Sequence, residues 1–160
     1  MLSAVLTPFA MAALAPAGTR PLGKAAAYVF ALAPLAVFLY LLALIPAAQG
    51  EPATVSLAWV PSLGVGLSFY GDALALSFAL LISGIGVLIV LYAGAYLGDH
   101  PLLGRFYAYL FLFMGAMLGA VLAGNLITLF VFWELTSISS YLLIGFERER
   151  KAARDAALQA

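Results

Sequence analysis

The stretch FVFWELTSISSYLLIGF, Phe130 to Phe146, sets one carboxylate, Glu134, inside a run of apolar residues. The apolar run extends back to Leu126, which makes it long enough to cross a bilayer as a helix. Glu134 lies eight residues past Leu126. At ~1.5 Å per residue that is ~12 Å into a ~30 Å hydrocarbon slab, close to its middle. An isolated acid there costs at least ~2.5–3.5 kcal/mol, so such a residue faces a protein interior or a wet cavity. Ser137 and Tyr141, three and seven residues on, share the helix face of Glu134. Thr136 and Ser140 form a second polar pair, with Ser139 beside it. Their hydroxyls are suited to binding the carboxylate, ordering water or bonding back to helix carbonyls. Two readings stay open: Glu134 is a proton relay or ion-pathway group, or it is structural glue to a neighbouring helix. The apolar spans contain no Lys or Arg, so a basic partner has to come from elsewhere.

The rest of the chain has the same character. Of 160 residues, 66% are hydrophobic and only 9% charged. A soluble domain carries about 25% charged residues, and a globule of this size cannot hide so much apolar surface. Lipid is therefore the solvent for most of the chain. Net charge is zero, so bulk charge makes no case for nucleic acid. The absence of cysteine removes disulfides and thiolate metal sites, and the single His100 cannot build a histidine-rich one. No metal or cofactor is expected. The N-terminal run lacks the basic region that precedes the core of a signal peptide, and reads as a retained helix.

The expected fold is all-α and membrane-spanning. Five helices are expected over about 2–17, 25–46, 73–97, 106–123 and 126–146, in a transmembrane region covering 1–147. A charged tail, 148–160, follows as an interfacial or soluble segment. Pro8, Pro16 and Pro34 are expected to kink or end their helices. Between helices two and three, Thr54–Val60 and Val65–Tyr70 flank a Pro-Ser-Leu-Gly turn. They read as a small hairpin outside the hydrocarbon. Asp72 stands where an N-cap would. Arg20 and Lys24, Arg105, and the tail cations all fall on one side if the spans alternate. The positive-inside rule then places the N-terminus outside and the tail in the cytoplasm. Span four carries small residues at helical spacing, Gly115–Gly119 and Ala116–Ala120–Gly124, a ridge for close packing. Asp72 and His100 are secondary candidates as surface or entry groups for ions. Their plainer readings are a helix cap and a solvated loop residue.

A longer stretch carries a family resemblance. GRFYAYLFLFMGAMLGAVLAGNLITLFVFWELTSISSYLLIGF, Gly104 to Phe146, resembles the antiporter-like subunits shared by respiratory complex I and the multisubunit Mrp-type Na+/H+ antiporters. WELTSISSYLLIGF is most similar to the A-type subunit of the Mrp group. SLGVGLSFYGDALALSFALLISGIGVLIVLYAGAYL, Ser62 to Leu97, fits the third helix of the same subunit. The resemblance covers about residues 55 to 155. It implies subunits of about fourteen helices built from inverted repeats with broken helices near the midplane. It also implies that the acid of the fifth helix, at the position of Glu134, is a proton-pathway residue paired with a lysine on the seventh. The chain is then expected to be the N-terminal part of a larger subunit, as a fragment or a split gene product.

Two departures stand out. Many relatives have Asp-Asn where this chain has Gly124-Asn125, and a basic residue where it has Tyr70-Gly71 ahead of Asp72. The implied function is a subunit of a monovalent cation/proton antiporter in the cell membrane. H+, Na+ or another monovalent cation, and other subunits of the complex are its partners. It is a transporter component rather than an enzyme. Two alternatives remain: a proton-pumping subunit of a complex I-like NADH-quinone oxidoreductase or related hydrogenase, and a non-transporting assembly subunit.

Overall fold

A computed structural model of the chain describes residues 1–48, 52–63, 65–98 and 100–147, apart from the side chains at 24, 46–48 and 63. Five helices carry the fold: α1 (Leu2–Leu22), α2 (Ala26–Ala48), α3 (Ala73–Leu97), α4 (Leu103–Val121) and α5 (Leu126–Ile144). Each is long and apolar enough to cross a membrane. Between α2 and α3, β1 (Ala53–Val60) and β2 (Val65–Gly71) pair antiparallel, with a short 3-10 turn, Pro61–Leu63, beginning the connection. The register shifts between Ala58 and Val60, leaving Trp59 as a bulge.

The helices alternate in direction. The hairpin, the start of α3 and the α4–α5 turn share one end of the bundle. The α1–α2 connection, the α3–α4 turn and the end of α5 share the other.

α4 is the central helix. Tyr107, Phe111, Met114 and Leu118 on it, and Leu122 just past its end, are buried, with α1, α3 and α5 packed around the helix. The Tyr107 hydroxyl donates to the Val90 carbonyl of α3 at 3.0 Å, which satisfies a buried polar group and ties the two helices. The small residues of α4 admit their neighbours. A Cβ at Gly115 would meet the Phe9 ring of α1, 2.9 Å away, and one at Gly119 would overlap the Phe132 ring of α5.

α1 runs past the expected end near residue 17 and through Pro16, reaching Leu22. Proline removes its own donor, and neighbouring helices make that tolerable in a membrane helix. Here α4 lies against Pro16, with the position of a Cβ on Gly104 only 3.1 Å from the Pro16 Cα. α4 also begins earlier than expected, at Leu103, where Leu103 and Gly104 are buried against α1. α5 stops at Ile144, and the Gly145 N–H closes its last turn on the Tyr141 carbonyl at 3.0 Å. α2 continues as a helix through Pro34, which is fully buried. The tail 148–160 lies outside the described residues.

The hairpin is fastened to the start of α5. Tyr70 N–H donates to the Leu122 carbonyl at 2.8 Å, and Gly124 N–H to the Ser68 carbonyl at 2.7 Å. Ser68 N–H donates to the Thr128 hydroxyl at 2.9 Å. Asn125 acts twice: its Oδ1 caps α5 by accepting from Thr128 N–H at 2.7 Å, and its Nδ2 donates to the Gly66 carbonyl at 2.9 Å. The α4–α5 turn therefore lies along β2, joined to it by one isolated antiparallel bridge, Phe69 to Ala123. Beneath it, Phe69 packs edge-on to Phe132 with ring centroids 5.8 Å apart.

Candidate functional site

α5 buries a narrow stripe. Thr128, Phe132 and Ser139 face the bundle, following one side of the helix. Glu134 follows Phe132 by two residues, so it points roughly 200° around the helix, away from that stripe. It is exposed, on a face with Phe130, Trp133, Ser137, Ile138 and Tyr141. The grouping of Glu134 with Ser137 and Tyr141 is thus present on one surface, and that surface points away from the other four helices.

Three of the hydroxyls on α5 are engaged with their own helix. Thr136 donates to the Trp133 carbonyl at 2.6 Å, Ser139 to Leu135 at 2.6 Å and Ser140 to Ser137 at 2.9 Å. Of the three roles open to them, these have taken back-bonding, which satisfies a hydroxyl in apolar surroundings. Thr136 and Ser140 open instead, with Ser137, on a groove between α4 and α5 that Phe113, Met117 and Trp133 also line.

The other two candidates stand at opposite ends of the bundle. Asp72 caps α3, its Oδ1 accepting from Ala75 N–H at 2.7 Å. His100 lies at the far end of α3, a helix of 25 residues and so about 37 Å long. Its Nδ1 accepts from Leu102 N–H at 3.2 Å, which leaves the neutral ring's proton on Nε2. Nε2 faces Glu147 Oε1 at 3.3 Å. The imidazole stands edge-on to Phe146, which packs on Phe106 of α4. Asp72, Glu134 and His100 thus mark the two ends and the middle of the span, without forming one cluster. Among the described residues, no group of His, Cys, Asp and Glu is arranged to hold a metal.

Residues 58–107 match the family described as NADH-ubiquinone oxidoreductase (complex I), chain 5 N-terminus. Residues 123–160 match the NADH:quinone oxidoreductase/Mrp antiporter transmembrane family. Over 121 residues, 75% of this chain, the sequence is 53% identical to the A1 subunit of the Na+/H+ antiporter from Staphylococcus haemolyticus and from Staphylococcus aureus. Over these residues the chain is similar to the antiporter-like subunits of Mrp antiporters and complex I.

The fold carries the same relationship. Over 98% of its length the chain superposes on a chain of the Mrp complex from Dietzia sp., with a TM-score of 0.86 and 33% identity. A chain of the membrane-bound sulfane sulfur reductase, an archaeal respiratory membrane complex, gives 0.78 at 21% identity and shares the fold. The chain spans 15% of the length of the staphylococcal relatives and 17% of the Dietzia chain. Glu134 lies inside the second matched region.

Proposed function

We propose that this chain supplies five membrane helices of a subunit in a multisubunit monovalent cation/proton antiporter, with Glu134 as an acid that takes up and releases the translocated proton. One observation carries the reading: a carboxylate half-way along a membrane helix points out of the bundle to which that helix belongs. Hydrocarbon does not accept such a group. The face that bears it is instead built to meet protein, in the remainder of a subunit whose relatives are several times longer. A basic partner for Glu134 belongs to that remainder. α1–α5 contain no Lys, and their two Arg, Arg20 and Arg105, lie at the end of α1 and the start of α4. The matched families include subunits of NADH:quinone oxidoreductase as well, and it is the 53% identity to antiporter subunits that favours exchange over redox-driven pumping.

Exchange is testable in everted vesicles carrying the complete complex with this chain in place. Adding Na+ or another monovalent cation to energised vesicles is expected to dissipate the pH gradient. A gradient indifferent to every monovalent cation contradicts the reading.

In the plasma membrane, the hairpin end faces outside and the α3–α4 turn faces the cytoplasm, by the positions of Arg20, Lys24 and Arg105. Asp72 then lies at the outer entrance and His100 at the inner one. The chain's lack of cysteine makes orientation easy to read by single-cysteine labelling. With other cysteines of the complex replaced, Ser62→Cys in the hairpin turn is expected to react with an impermeant maleimide on intact cells. Pro101→Cys is expected to react only after permeabilisation. The reverse pattern inverts the topology.

A further inference from the structure

Two openings at the end of the bundle away from the hairpin form one site. The first is a polar cavity of about 280 Å3 walled by Thr19, Arg20, His100 and Gly104. The second is a cleft of about 300 Å3 between α2 and α3, walled by Ala27, Tyr28, Gly94 and Ala95. Gly23, Gly98 and Leu103 line both. Gly23 and Gly98 adopt positive φ, at 49° and 45°, to close the ends of α1 and α3. Nothing lies within 4 Å of where their side chains would stand, so no side chain fills the boundary the two spaces share. Ala27 and Gly94 are each one helical turn from these glycines, and they touch one another, so they form the floor of the cleft. The site is therefore polar at its mouth and apolar farther in.

Its depth and surroundings suit a lipid. Tyr28 lines the cleft at 72% exposure, and Tyr92 and Tyr96 stand on the outer side of α3 at 66% and 74%. The last two stack at 5.6 Å, the aromatic pattern of a headgroup boundary. Farther along the same faces the exposed residues are Leu32, Leu35, Leu81, Ile85 and Leu88, with no carboxylate among them. This surface suits acyl chains, whereas the Glu134 surface does not.

The charge at the mouth selects the headgroup. Arg20 has no carboxylate partner among the described residues, and its guanidinium fork matches phosphate oxygens. Thr19 adds a hydroxyl. His100 is a wall rather than a donor, because both its nitrogens are engaged with Leu102 and Glu147. Glu147 lies behind that ring, and Asp99 falls outside the described residues. The carbonyls of Thr19, Gly94 and Leu97 are turned to the N–H groups of Gly23, Gly98 and His100, which removes them as competitors for Arg20.

We propose that this joined cavity binds one anionic phospholipid, its phosphate on Arg20 and Thr19 and an acyl chain in the α2–α3 cleft. Basic pockets between membrane helices hold such headgroups elsewhere. A zwitterionic lipid would bring a second cation to Arg20 and is disfavoured.

The test uses the complete complex, reconstituted in phosphatidylcholine with and without phosphatidylglycerol, and native mass spectrometry of retained lipid. The wild type is expected to keep phosphatidylglycerol, with one molecule per copy of this chain lost in Arg20→Gln. Ala95→Leu, which fills the cleft without touching the core, is expected to lose the same molecule. Unchanged retention in both assembled variants overturns the proposal. So does displacement of the wild-type lipid by inorganic phosphate alone, which would make the mouth a free-anion site. If Arg20→Gln does not assemble, Ala95→Leu decides the matter by itself.

Discussion

Glu134→Gln, placed in the complete subunit of an assembled complex, is expected to cut cation-dependent proton movement by about two orders of magnitude. That is the loss typical when a group that must carry a proton is removed. Gln keeps the size and hydrogen-bonding shape of the side chain but cannot exchange a proton at neutral pH. Assembly is expected to survive, because Glu134 is exposed on α5 and contributes nothing to the core of these five helices. Glu134→Asp retains the acid one methylene closer to the backbone, and an intermediate rate is expected. The assay is acidification and cation-induced recovery in everted vesicles, with complex abundance measured in parallel. Wild-type rates in Glu134→Gln would reduce the residue to glue between helices. Loss of the complex together with the rate would also favour glue.

The second large effect concerns packing. Gly119→Ala is expected to lower stability by about 1–3 kcal/mol, the usual cost of forcing extra atoms into a filled core. The added methyl would stand inside the Phe132 ring. That ring cannot retreat, since it is 7% exposed and held between Phe9, at 6.4 Å, and Phe69, at 5.8 Å. α5 would have to shift away from α4, breaking its attachment to the hairpin as it moved. Phe132→Leu in the same chain removes the ring edge and is expected to recover part of the loss. The reading is the fraction of complex surviving graded heating in detergent. A Gly119→Ala complex as stable as the wild type would show that the α4–α5 contact is not tight at this point. Failure of Phe132→Leu to help would point to another neighbour of the new methyl.

Several elements could be read from the sequence because their signals are local. Apolar length marks the spans, the Pro-Ser-Leu-Gly turn marks the hairpin, and Asp72 caps the helix that begins at the next residue. The ridge of Gly115 and Gly119 was also visible, but its partners, Phe9 and Phe132, were not, since spacing within one helix says nothing of what fills its grooves. The Thr128 and Asn125 clamps on the hairpin join residues 60 and 59 apart, beyond any local pattern. The direction of α5 was hidden for a different reason. In a soluble helix polarity separates the inner face from the outer, whereas in lipid both faces are apolar. Glu134 marked one face as special without saying whether it turned toward α1–α4 or away from them. α1 outran its expected end because proline stops a helix where water takes up the freed carbonyl, and here a neighbouring helix lies alongside instead.

A Glu134 that exchanges a proton in competition with a cation has a direct chemical signature. An apolar carbodiimide attacks protonated carboxyls in the membrane. With the complete complex in vesicles and the site of attachment mapped by mass spectrometry, Glu134 is expected to be labelled. The labelling is expected to slow as the transported cation is added or the pH is raised. Labelling that ignores both cation and pH, or a Glu134 that never reacts in an active complex, would contradict its role as the proton carrier.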